Sequence, residues 1–280
     1  MSSTVVGAVL LGALLHASWN ALVKSRTDTF MMTVLVGGGA GLLSALGLLL
    51  VAAPAAASWP YIVASIAIQL AYYALLVAAY RNGDMSHAYP LMRGSAPLLV
   101  ALASGPLIGE RLGAMQWLAI ACICGGIMAL FFTTRARHPS AGRTTVFALM
   151  TACMIAAFTL VDGIGVRKSG APLAYTMWIF MGNGIGLVAW AAARRPGELA
   201  KYARMNMQVL LLGGAANLGS YGLALWAMTH APVAAVAALR ETSILFAVAI
   251  AALVLREKVS AQRLAAVALV ACGAVAMRLG

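Results

Sequence analysis

Glu110-Arg111-Leu112-Gly113-Ala114 recurs 147 residues later as Glu257-Lys258-Val259-Ser260-Ala261. An arginine stands 17 positions before each glutamate, Arg93 in the first case and Arg240 in the second. Each arginine falls inside an apolar span and each glutamate just beyond its end, so one membrane segment is written twice. A repeat of this kind in a polytopic chain is the mark of a secondary-transporter architecture, with a solute site near the midplane between the halves.

Outward from that repeat, composition sets the environment. Of 280 residues, 63% are hydrophobic and 9% charged, and the mean hydropathy is +0.93. A water-soluble domain has no surface that tolerates this balance. A span needs about 20 apolar residues, and ten can be read: 4–24, 30–52, 59–80, 86–106, 113–132, 144–166, 171–193, 206–229, 232–254 and 260–278. The expected fold class is therefore an all-α integral membrane protein of ten transmembrane helices. The first span lacks a basic n-region and an A-x-A exit, so it reads as a retained helix and not as a signal peptide.

Charge gives orientation. Lys24, Arg26, Arg81, Arg135, Arg137, Arg143, Arg194, Arg195, Lys201, Arg204, Arg256, Lys258 and Arg263 fall in loops after odd-numbered spans, whereas Arg111, Arg167, Lys168 and Arg278 fall on the other side. The positive-inside rule makes the first face cytoplasmic and sends both termini outside, in a bacterial-type inner membrane. The net charge of +12 is scattered through loops, which suits lipid phosphate as counterion and not nucleic acid. Cys122, Cys124, Cys153 and Cys272 all fall inside spans and read as small packing residues.

The duplication extends along the whole chain. Gly126 matches Gly273 at the offset of the glutamates, and Gln69, Tyr72, Tyr73 and Tyr80 on one face of span 3 match Asn217, Ser220, Tyr221 and Met228 of span 8. His16, Trp19 and Asn20 of span 1 are answered by Phe158, Val161 and Asp162 of span 6, and spans 2 and 7 are both glycine-rich. Five spans per half is odd, so the second unit, 139–280, enters the membrane upside down relative to the first, 1–138. Such inverted repeats imply alternating access.

Ten spans, two five-helix repeats and the Glu-Arg/Lys-Leu/Val turn before a glycine-bearing helix resemble the EamA-type fold of the drug/metabolite transporter superfamily. The resemblance covers essentially the whole chain. Size and the tyrosine-rich third span are most similar to the YddG-type aromatic amino acid exporters, which implies export of small metabolites, amino acids above all, as uniport or proton-linked transport. It implies no cofactor. Small multidrug-resistance relatives place an essential glutamate in their first helix; here that helix has His16 and Asn20, so their proton/drug exchange does not carry over directly.

A charge in the membrane is costly, which singles out Arg93, Arg240, Glu241 and Asp162. Either arginine suits a substrate carboxylate, because a guanidinium offers that group a two-point fork; the alternative role is an interhelical tie. Glu241 follows Arg240 but points about 100° away around a helix, so the two need not pair; it is either a proton-coupling carboxylate or an interhelical hydrogen-bond partner. Asp162, placed near the outer end of span 6, reads as a solvent-reached cation contact and a further coupling or gating candidate. Gln69, Tyr72, Tyr73, Tyr80, Tyr89, Trp19, Asn20, Trp178, Asn217 and Tyr221 supply aromatic and polar surface for a wet cavity. His16 is a further coupling candidate, Pro90 and Pro97 bend span 4 beside Arg93, an arrangement that suits a gate, and Trp59 and Trp190 read as interface anchors. Glu110 and Glu257 read as helix caps or surface ion pairs.

These features favour a transporter, a monomer or weak homo-oligomer whose partners are a small-molecule substrate and membrane lipids. The competing reading is multidrug or quaternary-ammonium efflux, for which Glu241 is the deep carboxylate. A lipid-modifying enzyme would need clustered His, Asp or Ser groups, which the sequence does not bring together. No G-x-x-x-x-G-K-[ST] loop offers direct ATP drive, and no metal-ligand spacing stands out.

Overall fold

A computed structural model of the chain describes all residues but 25–27, 83–84, 136–141, 254–255, 257–259 and 280; for 24, 80–82, 85–87, 130 and 132–135 it describes the backbone only. Every regular element among the described residues is helical. The first half contains α1 (Ser3–Lys24), α2 (Thr29–Gly47), α3 (Trp59–Asn82), α4 (Met85–Ile108) and α5 (Ala114–Arg135). The second contains α6 (Gly142–Ser169), α7 (Pro172–Arg194), a short α8 (Glu198–Met205), α9 (Gly214–Met228), α10 (Val233–Arg240), α11 (Ser243–Leu253) and α12 (Ala261–Leu279). Among the described residues nine segments are long and apolar enough to cross a membrane, α10 and α11 together making one of them. In α5, where the fifth span is expected, Ala114–Ala129 forms a shorter apolar stretch. This is an all-α integral membrane protein.

Helix ends follow local chemistry. The Asp28 carboxylate accepts from the Met31 N–H at 3.0 Å and so caps α2. Pro172 opens α7, where its missing N–H costs nothing. The turn that precedes it places Gly170 at φ +62°, a conformation that a side chain disfavours. Pro90, Pro97 and Pro106 all lie inside α4. Proline donates no ladder bond, so these three residues interrupt the regular hydrogen bonding of α4.

Two spans depart from regular helix. The expected continuous span 232–254 is interrupted: the Glu241 and Thr242 amides turn back to the Ala238 and Leu239 carbonyls, both at 3.0 Å, before α11 restarts at Ser243. The Thr242 hydroxyl also donates to the Leu239 carbonyl at 2.7 Å, a back-bond that competes with regular helix. In span 206–229 a π-helical segment, Val209–Gly213, precedes α9. It lies where α2 comes closest, since a β-carbon at Gly39 would stand 1.9 Å from the Leu210 carbonyl oxygen. The amphipathic α8 was not anticipated from the sequence.

Packing has a two-fold pattern. Helix α1 lies on α9 and on the broken α10–α11 span, while α6 lies on α3 and α4; α2 packs on α7, and α5 on α12. Small residues permit these approaches. β-Carbons at Gly41 and Gly184 would each come 2.9 Å from the other glycine's Cα, and one at Gly273 would come 2.8 Å from the Ala119 oxygen. Leu11, Leu102, Leu118 and Leu212 are exposed, as a lipid-facing belt requires. All four cysteines are free, Cys124 buried and Cys153 and Cys272 on the outer surface.

Candidate functional site

A cavity of about 210 Å³ lies between the halves. Helix α1 contributes His16, Trp19 and Asn20; α3 contributes Gln69, Tyr72 and Tyr73; α4 contributes Tyr89, Arg93 and Pro97. The second half answers with Phe158 and Thr159 of α6, Phe180 of α7, Asn217, Ser220 and Tyr221 of α9, and Arg240 and Glu241 at the helix break. The wall is a linked set of rings: Tyr72 lies 5.1 Å from Tyr73 and 5.7 Å from Phe158, and Tyr221 lies 6.2 Å from Phe158 and 5.9 Å from Phe180, all edge-to-face. His16 meets Trp19 in the same way at 5.2 Å.

Lining residues extend from the middle of the helices toward one face only. Val23 near the end of α1, Thr29 and Thr33 in the first turns of α2, and Leu76 of α3 all border the cavity, and Thr29 is exposed. The cavity thus reaches the face that carries Arg194, Arg195 and Lys201. Toward the opposite face the same helices are packed shut: Leu225, Ala227, Met228 and Val233 through Val236 have no exposed surface.

That closed end is fastened by Glu110. Its Oε1 accepts from the Val233 N–H at 2.7 Å and its Oε2 from the Ala234 N–H at 3.4 Å, placing a carboxylate on the N-terminus of α10. Arg167 pairs with the same Oε1 at 2.9 Å, and donates to the Met228 and Ala231 carbonyls at 2.8 and 2.9 Å. Glu110 is therefore a cap, but of a helix from the other half. Its sequence neighbour Arg111 is not its ion-pair partner. Glu257 and Lys258 lie outside the described residues.

The cavity charges are arranged unequally. Arg93 Nε meets Glu241 Oε2 at 2.8 Å, and its terminal nitrogen donates to Ser243 Oγ at 3.2 Å. One arginine of the repeat thus ties α4 to the break between α10 and α11. Arg240 instead stacks on the Tyr221 ring, 4.8 Å from its centroid. Among the described residues no carboxylate comes within ion-pair distance of Arg240. The Trp19 indole N–H is buried without an acceptor. The wall therefore presents a cationic fork and a spare neutral donor, a set that suits an acceptor-rich group on the solute.

Asp162 is placed differently from the sequence expectation. It is fully buried, because α6 extends to Ser169 and Asp162 faces inward against α3, α7 and α9. It accepts from the Tyr175 hydroxyl at 3.0 Å, the Tyr221 hydroxyl at 2.5 Å and the Gln69 amide at 3.4 Å. Gln69 also donates to Ser65 Oγ and accepts from the Asn183 amide, both at 2.8 Å. A solvent-reached cation contact is thereby ruled out in this conformation, and Asp162 forms a polar layer behind the cavity wall.

Trp178 lies off the cavity and packs on Trp59 at 4.8 Å. Pro90 is buried in α4 without lining the cavity, whereas Pro97 lines it. The Tyr80 side chain lies outside the described residues. Asn20 lines the cavity while donating to the His16 carbonyl at 2.8 Å. Reasoning from sequence missed Phe180 and did not mark Phe158 as a site residue; the alignment of Phe158 with His16 in the repeat was a usable signal, and Phe180 carried none. Among the described residues no three His, Cys, Asp or Glu groups gather to hold a metal.

A bundle of membrane-length helices around a closed-ended polar cavity defines a multi-pass membrane protein. The EamA-like transporter family matches residues 143–279, most of the second half. One solved crystal structure superposes with a TM-score of 0.78 at 19% identity, covering 100% of this chain and 98% of its own, a likeness of fold. No curated protein matches the chain. The family match makes residues 143–279 similar to EamA-like transporters and supports a role in moving small solutes across a membrane.

Proposed function

We propose that this protein exports small carboxylate-bearing metabolites, amino acids in particular, by alternating access through the central cavity. The observation that carries the proposal is Arg240, a guanidinium on the cavity wall with an aromatic ring beneath it and no carboxylate partner among the described residues. A substrate carboxylate docks there. The apolar side chain then faces Tyr72, Phe158 and Phe180. A volume of about 210 Å³ favours such solutes over drug-sized ones, whose pockets hold about 300–1,000 Å³.

In this reading residues 1–138 and 139–280 are inverted repeats, the face with Arg194 and Arg195 is cytoplasmic, and both termini lie outside a bacterial-type inner membrane. The structure then has its cavity open inward and its outer side closed by Glu110. Exchange of that closure for an equivalent one at the inner face releases the solute outward. Multidrug efflux is less well supported, because Glu241 is already neutralised by Arg93 and Asp162 lies behind the wall.

Uptake of a panel of radiolabelled amino acids by proteoliposomes, with and without an imposed proton gradient, tests the proposal. Saturable entry of aromatic and aliphatic members is expected. Failure of every amino acid with correctly folded protein would contradict it and make cationic drugs the next panel.

A further inference from the structure

Two buried carboxylates stand near the cavity, and their partners differ in kind. Glu241 is held by a cation, Arg93, at 2.8 Å. Asp162 is held by neutral donors alone among the described residues: Tyr175, Tyr221 and Gln69, with Ser65 beside it. Adding a proton to Glu241 would strand the Arg93 guanidinium as an uncompensated charge inside the membrane. Adding one to Asp162 strands nothing, since hydroxyls and an amide reorient to accept where they had donated.

We propose that Asp162 is the proton-carrying carboxylate of the transport cycle, linked to substrate through Tyr221 and Arg240. Tyr221 makes both contacts, its hydroxyl donating to Asp162 and its ring lying under the Arg240 guanidinium. Tyr221 and Gln69 also line the cavity, which gives a proton a hydrogen-bonded route of one side chain between solute and Asp162. A substrate carboxylate and ionised Asp162 draw on the same guanidinium charge. A proton on Asp162 removes that competition, so proton and substrate anion travel together.

The charged and titratable groups around Asp162 are few. Helix α3 presents neutral Ser65 and Gln69, with Tyr61 further along; α7 presents Tyr175, α9 presents Tyr221, and α10 presents Arg240. On α6 itself Arg167 and Lys168 are engaged by Glu110 and Tyr61. Across the cavity Arg93 and Glu241 neutralise one another.

This inference rests on the exporter reading and is tested so that the two fail separately. Proteoliposomes holding a trapped pH dye receive phenylalanine outside, and labelled phenylalanine exchange is followed in parallel. Wild-type protein is expected to acidify the lumen as phenylalanine enters, and Asp162→Asn to lose that acidification while retaining exchange at equal pH. Wild-type phenylalanine entry without proton movement, or acidification that persists in Asp162→Asn, overturns the inference and leaves the exporter reading intact. No exchange in the wild type overturns both. Should Asp162→Asn not fold, Tyr175→Phe decides, since it removes a donor to Asp162 from behind the cavity wall: a shifted pH dependence of acidification with exchange kept supports Asp162, and an unmoved pH dependence overturns the proposal.

Discussion

Arg93 and Glu241 join the two halves of the protein through a 2.8 Å ion pair at the cavity wall. Both side chains are largely buried, so removing one partner leaves the other as a lone charge in a poorly solvated setting. Breaking a buried pair in this way costs about 3–5 kcal/mol. Glu241→Gln and Arg93→Gln should each lower the thermal midpoint in detergent, and the double substitution should be milder than the sum of the two. Strict additivity would show that the pair contributes no coupling.

Aromatic specificity is expected to reside in the ring cluster. Tyr72 touches both Tyr73 and Phe158 edge-to-face, and such contacts are worth about 0.5–1.5 kcal/mol each beyond area burial. Tyr72→Ala should weaken competition by phenylalanine by about tenfold while affecting alanine less. Equal losses for both solutes would place the ring in packing alone.

Glu110 should control the closed end. A hydrogen bond to a charged group contributes about 1.5–3 kcal/mol, so Glu110→Gln is expected to raise the open population about tenfold or more. A cysteine at Ala234, in a background without the native cysteines, should then react faster with a membrane-impermeant thiol reagent from that face. Unchanged labelling would mean that apolar packing around Val233 closes this end unaided.

Much of this was legible in the sequence, and the gaps have physical causes. The apolar spans announced an all-α membrane fold, and the Gln69–Tyr72–Tyr73 stripe, too polar for lipid, stands on the cavity wall. Which arginine would be paired was not legible. Arg93 and Glu241 are distant in sequence and meet only because α4 packs on α10, and the break that follows Arg240 reorients Glu241. The position of Asp162 was misjudged because distance along a helix says nothing of which face its neighbours cover. Capping of α10 by Glu110 was likewise invisible, since the amides it holds belong to the other half.

At the face bearing Arg194 and Arg195, Asp28 ties α2 to α7 and carries a pH signature. Burial, the largest single influence, raises its pKa, but the Met31 N–H and Arg195 together outweigh it and hold the carboxyl below its usual value. The resulting stability is therefore full above about pH 4, the unfolded range, and is lost as pH falls through the lower folded value. Asp28→Ala should cost about 1 kcal/mol at neutral pH, read as a lowered melting temperature. The difference from wild type should close at strongly acid pH; a gap independent of pH would remove the ionised cap from the account.

The claim that Arg240 receives the substrate carboxylate is tested most directly by competition against labelled phenylalanine exchange, using 3-phenylpropionate and phenethylamine as rivals. The first keeps the carboxylate and lacks the amine; the second is the reverse. The account predicts that 3-phenylpropionate competes and phenethylamine does so about ten- to a hundredfold less well, the difference that charge-assisted hydrogen bonds supply, and that Arg240→Gln erases the preference. Stronger competition by phenethylamine, or a preference unchanged in Arg240→Gln, would contradict it.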